Sequence, residues 1–193
     1  MDLQNRPKTI LISYLNYLKT TAMIVVYILL ALIIGVLLIS ALMPNSYNVE
    51  KSIVINRPLT SVMNRIANLN DYALWNPWQQ SDTTATKSIT GTPGTPGHKY
   101  AWEGKKVGVG SLTLNQMDDR NIYFDLEFFK PWKAQARDNW HFEPMSSNET
   151  NVTWQNSGQL PWPVARMMGP MISKGLNRQF GTGLDNLKKL CES

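Results

Sequence analysis

The sequence predicts an α+β protein in which one N-terminal transmembrane helix precedes a curled antiparallel sheet of about seven strands wrapped around a long C-terminal helix. Three observations predict this class. Residues Thr21–Met43 carry no charged side chain and are mostly Ile, Leu, Val and Ala. Residues 83–158 contain repeated alternation of apolar and polar residues, which is the period of half-buried strands. The segment from Met168 to Cys191 returns to apolar residues at three- and four-residue steps, the period of an amphipathic helix.

Composition excludes several classes of protein. The 193 residues accommodate one domain and an appendage, and 43% hydrophobic with 17% charged residues fits a globular protein with a membrane segment rather than a disordered chain. The net charge is +5, but the lysines and arginines of the region after Met43 are interspersed with acids. The sequence contains no cluster of basic residues with interleaved aromatics, so it gives no indication of nucleic-acid binding. The single cysteine, Cys191, excludes an internal disulfide.

The apolar segment Thr21–Met43 is long enough to cross a membrane. Twenty-three helical residues span about 34 Å, against about 30 Å for the hydrocarbon core of a bilayer. A cleaved signal peptide is the competing interpretation. Its apolar region is normally shorter and ends in a small-x-small cleavage site, whereas this run continues to Ser40-Ala41-Leu42-Met43-Pro44. We therefore expect an uncleaved anchor that places the protein in the lipid bilayer through residues 21–43.

The flanking charges predict the orientation of this anchor. Basic residues stay on the cytoplasmic side of a membrane. Three of them, Arg6, Lys8 and Lys19, precede the span, whereas Glu50 and Lys51, the first charges after it, offset each other. Residues 1–20 are thus predicted to form a cytoplasmic or interfacial segment. The C-terminal domain is predicted to lie outside the cytoplasm, at the cell (inner) membrane.

The first elements of the domain follow a short linker at Pro44–Ser46, and the domain itself is predicted to cover residues 47–193. Tyr47–Ile55 is rich in β-branched residues and predicts a strand. Leu59–Ala67 has apolar residues at helical spacing. Asn68–Trp78 is predicted to be a second short helix or a loop.

Strands dominate the middle of the chain. The clearest alternation is that of Ile122–Phe128, and the Gly- and Pro-rich residues 91–97 predict a loop. Short connections between consecutive strands predict an antiparallel meander. The predicted strands are Thr83–Ile89, Lys99–Glu103, Val109–Met117, Ile122–Phe128, Trp132–Phe142 and Thr150–Gly158.

The C-terminal helix carries an apolar stripe that must pack on the apolar face of the sheet, because each needs a partner surface. Lys188 and Lys189 suit its last turn. Three glycines, Gly175, Gly181 and Gly183, each disfavour a helix by about 1 kcal/mol relative to alanine. Either they permit close approach of the sheet or a ligand, or the helix is bent or interrupted.

Five stretches of the domain, taken together with their order and spacing, resemble the SRPBCC superfamily and within it the polyketide cyclase/dehydrase-like group related to START and birch-allergen domains. The likeness includes bacterial members in which an N-terminal span runs directly into this domain. It implies a helix-grip fold with a cavity between sheet and C-terminal helix. It implies no single chemistry, since members bind lipids, sterols or polyketides and some are enzymes. The matching stretches are YNVEKSIVINRP (47–58), LWNPW (74–78), YAWEGKKVGVG (100–110), VTW (152–154) and FGTGLDNLK (180–188).

Inward-facing aromatic and aliphatic residues are the candidates for lining such a cavity, with Trp102, Phe124, Leu126 and Trp140 foremost. The alternative for each is plain core packing. The full set of candidate ligand-binding residues is Trp75, Trp78, Trp102, Leu112, Leu114, Phe124, Leu126, Phe128, Trp140, Trp154, Met168, Ile172, Leu176 and Phe180.

Polar groups suited to catalysis are few. His98 and His141 lack the spacing of a metal pair, so we expect both in solvent and predict no metal and no cofactor. Asp138 is the one catalytic candidate, because alternation places it on the apolar face of its strand. A buried carboxylate needs a partner or a raised pKa. The alternative is a local bulge that turns Asp138 outward.

Three functions fit these features. The first is a membrane-anchored module that binds a small hydrophobic ligand or lipid. The second is a cyclase- or hydratase-like enzyme that uses an inward carboxylate such as Asp138. The third is an envelope interaction protein whose core is filled by its own side chains. Protein partners are not predicted.

Overall fold

The computed structural model describes residues 6–193, with side chains from Tyr14 onward. The first helix, α1 (Arg6–Leu42), is unbroken, so the backbone of the predicted interfacial segment continues directly into the apolar run. Residues 1–5 and the side chains of Arg6 and Lys8 lie outside the described residues. Within the described chain, Tyr14–Leu42 is the one stretch long and apolar enough to cross a membrane, and its most apolar part is not buried in the protein. By length and composition it is either a membrane span or a signal sequence.

Seven strands and four further helices follow α1. They are β1 (Ser46–Ile55), α2 (Leu59–Ala67), α3 (Tyr72–Trp75), α4 (Pro77–Ser81), β2 (Thr86–Thr90), β3 (Lys99–Gly104), β4 (Gly108–Met117), β5 (Asn121–Lys130), β6 (Ala134–Ser146), β7 (Glu149–Gln159) and α5 (Val164–Glu192).

The strands form one antiparallel sheet in the order β1-β7-β6-β5-β4-β3-β2. Consecutive strands from β2 to β7 pair as a meander, and the first strand closes the sheet by pairing with the last, so that Val49 lies opposite Asn156. The curled sheet and the long helix confirm the predicted α+β helix-grip fold. Residues on the concave face align across strands, as Phe124, Asp138 and Asn156 do on β5, β6 and β7.

Helix α5 crosses the domain from one end of the sheet to the other. At its start, the carbonyl of Pro163 accepts a hydrogen bond of 2.6 Å from the Ser40 hydroxyl at the end of α1. Near its other end, Lys188 Nζ donates to the carbonyl of Val54 at 2.7 Å. The second half of α5 buries Phe180, Leu184 and Leu187.

The sheet therefore has two distinct ends. One end is where β1 begins just after α1, where β7 finishes and where the β3–β4 and β5–β6 hairpins turn. We call it the anchor-proximal end. Leu160 N donates to Asn45 O there at 2.7 Å, which joins the end of β7 to the linker after α1. The distal end holds the β4–β5 and β6–β7 turns and the C-terminus of α5.

Several boundaries differ from the sequence prediction for local reasons. Residues 68–78 contain two short helices, because the Asn76 side chain caps α4 by accepting from the N–H groups of Trp78 and Gln79. Strand β2 starts at Thr86 rather than Thr83, because Asp82 organises a turn by bonding Thr84 Oγ1 and the N–H of Lys106. Strand β6 starts after Trp132, which lies on a hairpin and is 74% exposed.

Candidate functional site

The strand alternation and the inner face of α5 bring the predicted cavity-lining residues to the concave side of the sheet. They divide into two groups. Eight are buried at 7% exposure or less, namely Trp75, Trp102, Leu112, Leu114, Phe124, Trp140, Trp154 and Phe180. Six are half-buried, namely Trp78, Leu126, Phe128, Met168, Ile172 and Leu176.

The buried group is built around an aromatic stack. Trp154 lies between Trp140 and Phe180, with ring centroids 4.6 and 4.1 Å away and nearly parallel planes. Trp75 meets Trp140 and Trp154 edge-on at 5.6 and 5.5 Å. Such pairs contribute about 0.5–1.5 kcal/mol each beyond the burial of their area. This part of the interior is closely packed core.

Two of the half-buried residues belong with the core, because Trp78 meets Trp154 and Phe180 edge-on and Leu176 packs against the core. The other four lie toward the anchor-proximal end of their elements. Met168 and Ile172 belong to the first half of α5, and neither joins the contiguous core that Phe180 and Leu184 join further along the helix. On the sheet, Leu126 and Phe128 touch the core but remain partly open to solvent. These apolar side chains of the sheet and of α5 are thus incompletely buried by the described residues. We refer to the half-buried Leu126, Phe128, Met168 and Ile172 together as the apolar cleft.

Asp138 lies inside the domain and not on an outward bulge. It pairs in register with Phe124 and Asn156 and is 3% exposed. Trp154 Nε1 donates a hydrogen bond to its carboxyl group, and the Asn156 side chain also bonds it. Burial raises the pKa of Asp138 from 3.8 to about 7, because desolvation outweighs the lowering effect of these two bonds.

A tyrosine connects this carboxyl to the edge of the domain. Tyr47 Oη donates to Asn156 Oδ1 at 2.8 Å, so Tyr47, Asn156 and Asp138 form one chain of hydrogen bonds. Burial, with a smaller contribution from the charge of Asp138, raises the pKa of Tyr47 to about 12. The phenol therefore remains protonated at neutral pH. Sequence reasoning missed Tyr47 and Asn156, because their shared face appears only when β1 pairs with β7.

A second polar group lies under α4. Tyr100 Oη donates to Gln79 Oε1 at 2.9 Å, both within the core. Burial raises the pKa of Tyr100 to about 12, and that of Tyr72 well above its usual value. The Tyr100–Gln79 bond satisfies polar atoms that the fold has removed from water, which is the ordinary requirement for a buried hydroxyl.

The prediction that His98 lies in solvent is wrong. Its side chain is fully buried and joins two loops, accepting at Nε2 from Leu69 N–H at 3.0 Å while Nδ1 lies 3.0 Å from Thr90 O. This bridge between distant backbone segments assigns His98 a structural role. His141 is exposed, with Nδ1 2.8 Å from Asn121 Oδ1.

Two grooves lie on the domain, and the lining of the second includes Leu126 of the apolar cleft. One, of about 610 Å³, runs between β1 and α5 and is lined by Lys51, Lys174 and Arg178 among others. The other, of about 770 Å³, is lined mainly by outward residues of the sheet, including the ion pair of Arg137 with Asp125. Among the described residues, no group of three or more His, Cys, Asp or Glu side chains could hold a metal ion.

The comparisons with known proteins agree with this architecture. The family described as polyketide cyclase / dehydrase and lipid transport matches residues 46–192, which include every strand and α2 to α5. No curated protein matches the chain.

Solved structures share the fold at low sequence identity. The Zhui aromatase/cyclase from a Streptomyces species aligns with a TM-score of 0.58 and 14% identity over 76% of this chain and 94% of its own. A Thermobifida fusca protein aligns with a TM-score of 0.56 and 17% identity over 75% of this chain and 92% of its own. A Thermus thermophilus protein aligns with a TM-score of 0.55 and 15% identity over 75% and 97%. At such identities the likeness shows the fold alone.

Proposed function

The chain belongs to the polyketide cyclase / dehydrase and lipid transport family, a branch of the SRPBCC superfamily, and from that premise we propose that it is a membrane-anchored module that binds a small hydrophobic ligand or lipid between its sheet and α5. The observation that carries the proposal is the apolar cleft. Burying a leucine- or phenylalanine-sized side chain contributes about 1.5–3 kcal/mol, so the half-buried Leu126, Phe128 and Ile172 represent unused hydrophobic surface. An apolar ligand would complete their burial.

The contact between α1 and the domain supports an anchor that stays attached. Ser40 is fully buried, and its hydroxyl donates to the Pro163 carbonyl at the start of α5. Removal of α1 as a signal peptide would take this donor away from the domain. A retained α1 therefore fits the packing better than a cleaved one.

Ligand retention by the full chain, purified in detergent, tests the proposal. We expect lipid extraction and mass spectrometry to find a bound apolar molecule, and a fluorescent fatty acid to compete with it. Since α1 itself carries detergent and lipid, the informative comparison is between variants. Ile172→Trp fills the cleft, whereas Thr182→Trp adds the same side chain to an exposed position of α5.

The expected result is a loss of probe affinity of about tenfold or more in Ile172→Trp, equivalent to about 1.4 kcal/mol, with no change in Thr182→Trp. Equal affinity in the wild type and both variants would place the probe on α1 and contradict the proposal. Absence of any retained molecule or probe binding would favour the third function, an interaction protein with a filled core.

The second candidate is an enzyme with a cyclase- or hydratase-like step in which Asp138 is the general acid or base. The observation that favours it is the inward position of a carboxyl whose pKa of about 7 suits proton transfer at neutral pH. Once a substrate is found, unchanged turnover in Asp138→Asn would remove Asp138 from the mechanism.

A further inference from the structure

The anchor-proximal end of the domain carries exposed aromatic and aliphatic side chains that the apolar cleft does not use. Trp132, on the β5–β6 hairpin, is 74% exposed, and Trp162 before α5 is 50% exposed. Val164 and Met167 in the first turn of α5 are also exposed. Tryptophan beside apolar residues is the composition found at membrane–water interfaces.

Topology places these residues at the level where α1 ends. The Ser40–Pro163 hydrogen bond fixes the start of α5 against the last turn of α1. Because Ser40 is three residues from the end of the apolar run, Pro163 lies within about 5 Å, along the helix axis, of the end of that run. Strand register brings the β5–β6 hairpin to the same end, since Ala136 pairs with Gly158, which also pairs with Tyr47.

The charges of this end suit an anionic surface. The two hairpin segments 105–107 and 130–133 hold four exposed lysines, Lys105, Lys106, Lys130 and Lys133, and no acid. Two of the three nearby carboxylates accept hydrogen bonds from the protein. Asp82 accepts from the N–H of Lys106, and Glu127 accepts from Gln135 Nε2. Glu103 is an exposed carboxylate at the end of β3, so the four lysines outnumber it. At the distal end, the β4–β5 turn instead carries two acids and one base, Asp118, Asp119 and Arg120.

We propose that the anchor-proximal end is a membrane-docking surface, with Trp132, Trp162 and Met167 in the interface of an anionic lipid bilayer and the four lysines at its headgroups. This inference rests on the proposed membrane anchoring. The apolar cleft residues lie toward the same end of the domain, so docking would hold them close to the bilayer, from which a hydrophobic ligand could reach them.

Spin labels on the full chain in lipid vesicles test this docking. In a Cys191→Ser background, labels are placed by Trp132→Cys and Met167→Cys at the docking surface. Met145→Cys is the matched control, because Met145 is also exposed, at 57%, but lies beside the distal β6–β7 turn. Leu29→Cys in α1 reports whether the anchor itself is in lipid. The readout is collision with oxygen, which partitions into lipid, against collision with a water-soluble nickel chelate.

In vesicles of phosphatidylcholine and phosphatidylglycerol, we expect the labels at Trp132→Cys and Met167→Cys to report lipid and the Met145→Cys label to report water. Without phosphatidylglycerol, or with Lys130→Gln and Lys133→Gln, the lipid contact of Trp132→Cys should fall by about threefold or more. An unchanged lipid contact in both tests would overturn the role of the lysines and the preference for an anionic surface.

The other outcomes separate the two proposals. If Leu29→Cys is in lipid while both surface labels are in water, docking is overturned and anchoring stands. If Leu29→Cys is in water, anchoring fails and docking fails with it. If the surface labels are shielded from both reagents, protein covers this end, such as a second copy of the chain, and docking to the bilayer is overturned.

Discussion

Asp138 is the residue whose environment departs most from that of an ordinary aspartate. Ionisation of its carboxyl opposes folding, because the charge loses water and gains only the two bonds from Trp154 and Asn156. Its pKa is about 7 in the folded protein against about 3.8 when exposed. The folded state therefore binds more protons than the unfolded state between these values, and stability falls as pH rises through that window.

We expect the free energy of unfolding of the wild type to decrease by a few kcal/mol between pH 4 and pH 7, following about 1.4 kcal/mol per pKa unit, and to level off above pH 7. Asp138→Asn keeps an acceptor for Trp154 Nε1 and cannot ionise. The free energy of unfolding of this variant should therefore lack the decrease of a few kcal/mol that ionisation of Asp138 causes in the wild type. Thermal unfolding in detergent, followed by near-ultraviolet circular dichroism, measures both. Parallel pH profiles of the two proteins would contradict this account of Asp138.

At the scale of elements, the three glycines of α5 occupy different surroundings, although the sequence alone gives each the same cost in helix propensity. A Cβ on Gly183 would lie 2.8 Å from Trp154 Cζ3 and 3.2 Å from Pro77 Cδ, so this glycine permits close approach of the helix to the core. A Cβ on Gly175 would meet nothing within 4 Å. At Gly181 it would meet only the flexible end of Lys51, at 2.9 Å. The helix itself is uninterrupted from Val164 to Glu192.

The paired substitutions Gly175→Ala and Gly183→Ala should therefore have opposite effects. Gly175→Ala should stabilise the protein by up to about 1 kcal/mol through helix propensity. Gly183→Ala should destabilise it by about 1–3 kcal/mol, because Trp154 and the surrounding stack must move. Chemical denaturation of both variants in the same detergent measures the difference. A destabilised Gly175→Ala would show that an unseen contact occupies this face of α5.

At the scale of the whole molecule, the end of α1, the proposed docking surface and the residues of the apolar cleft lie toward one end of the domain. If α1 is a span, the basic residues before it predict a cytoplasmic N-terminus and an extracytoplasmic domain. Orientation decides which leaflet supplies the ligand. If the proposed docking also holds, the leaflet nearest the apolar cleft residues is the outer one.

Reporter fusions after Ser193 in a bacterial host test the orientation. We expect alkaline phosphatase, which is active only after export, to be active, and green fluorescent protein, which folds in the cytoplasm, to be dark. The protein should remain in the membrane fraction at full length. The reverse pattern would invert the topology, and a shortened protein released from the membrane would identify α1 as a signal sequence.

Local patterns in the sequence determined the elements and their order. The period of Ile122–Phe128 predicted a half-buried strand, the spacing of Leu59–Ala67 predicted a helix, and the stripe ending at Cys191 predicted a long amphipathic helix, because each period follows from local backbone geometry. The inward position of Asp138 was likewise one of two local alternatives, and the register of β5, β6 and β7 decided between them.

Tertiary structure alone decided which apolar residues fill space and which leave it open. Trp154 and Ile172 are both apolar residues on the predicted inward side of their elements, yet Trp154 is buried in the aromatic stack and Ile172 is only half-buried. His98 is polar and follows a glycine-rich loop, but contacts with Leu69 and Thr90 bury it. The reason is physical: a period specifies the side of an element that faces inward, whereas burial depends on what distant segments place opposite it.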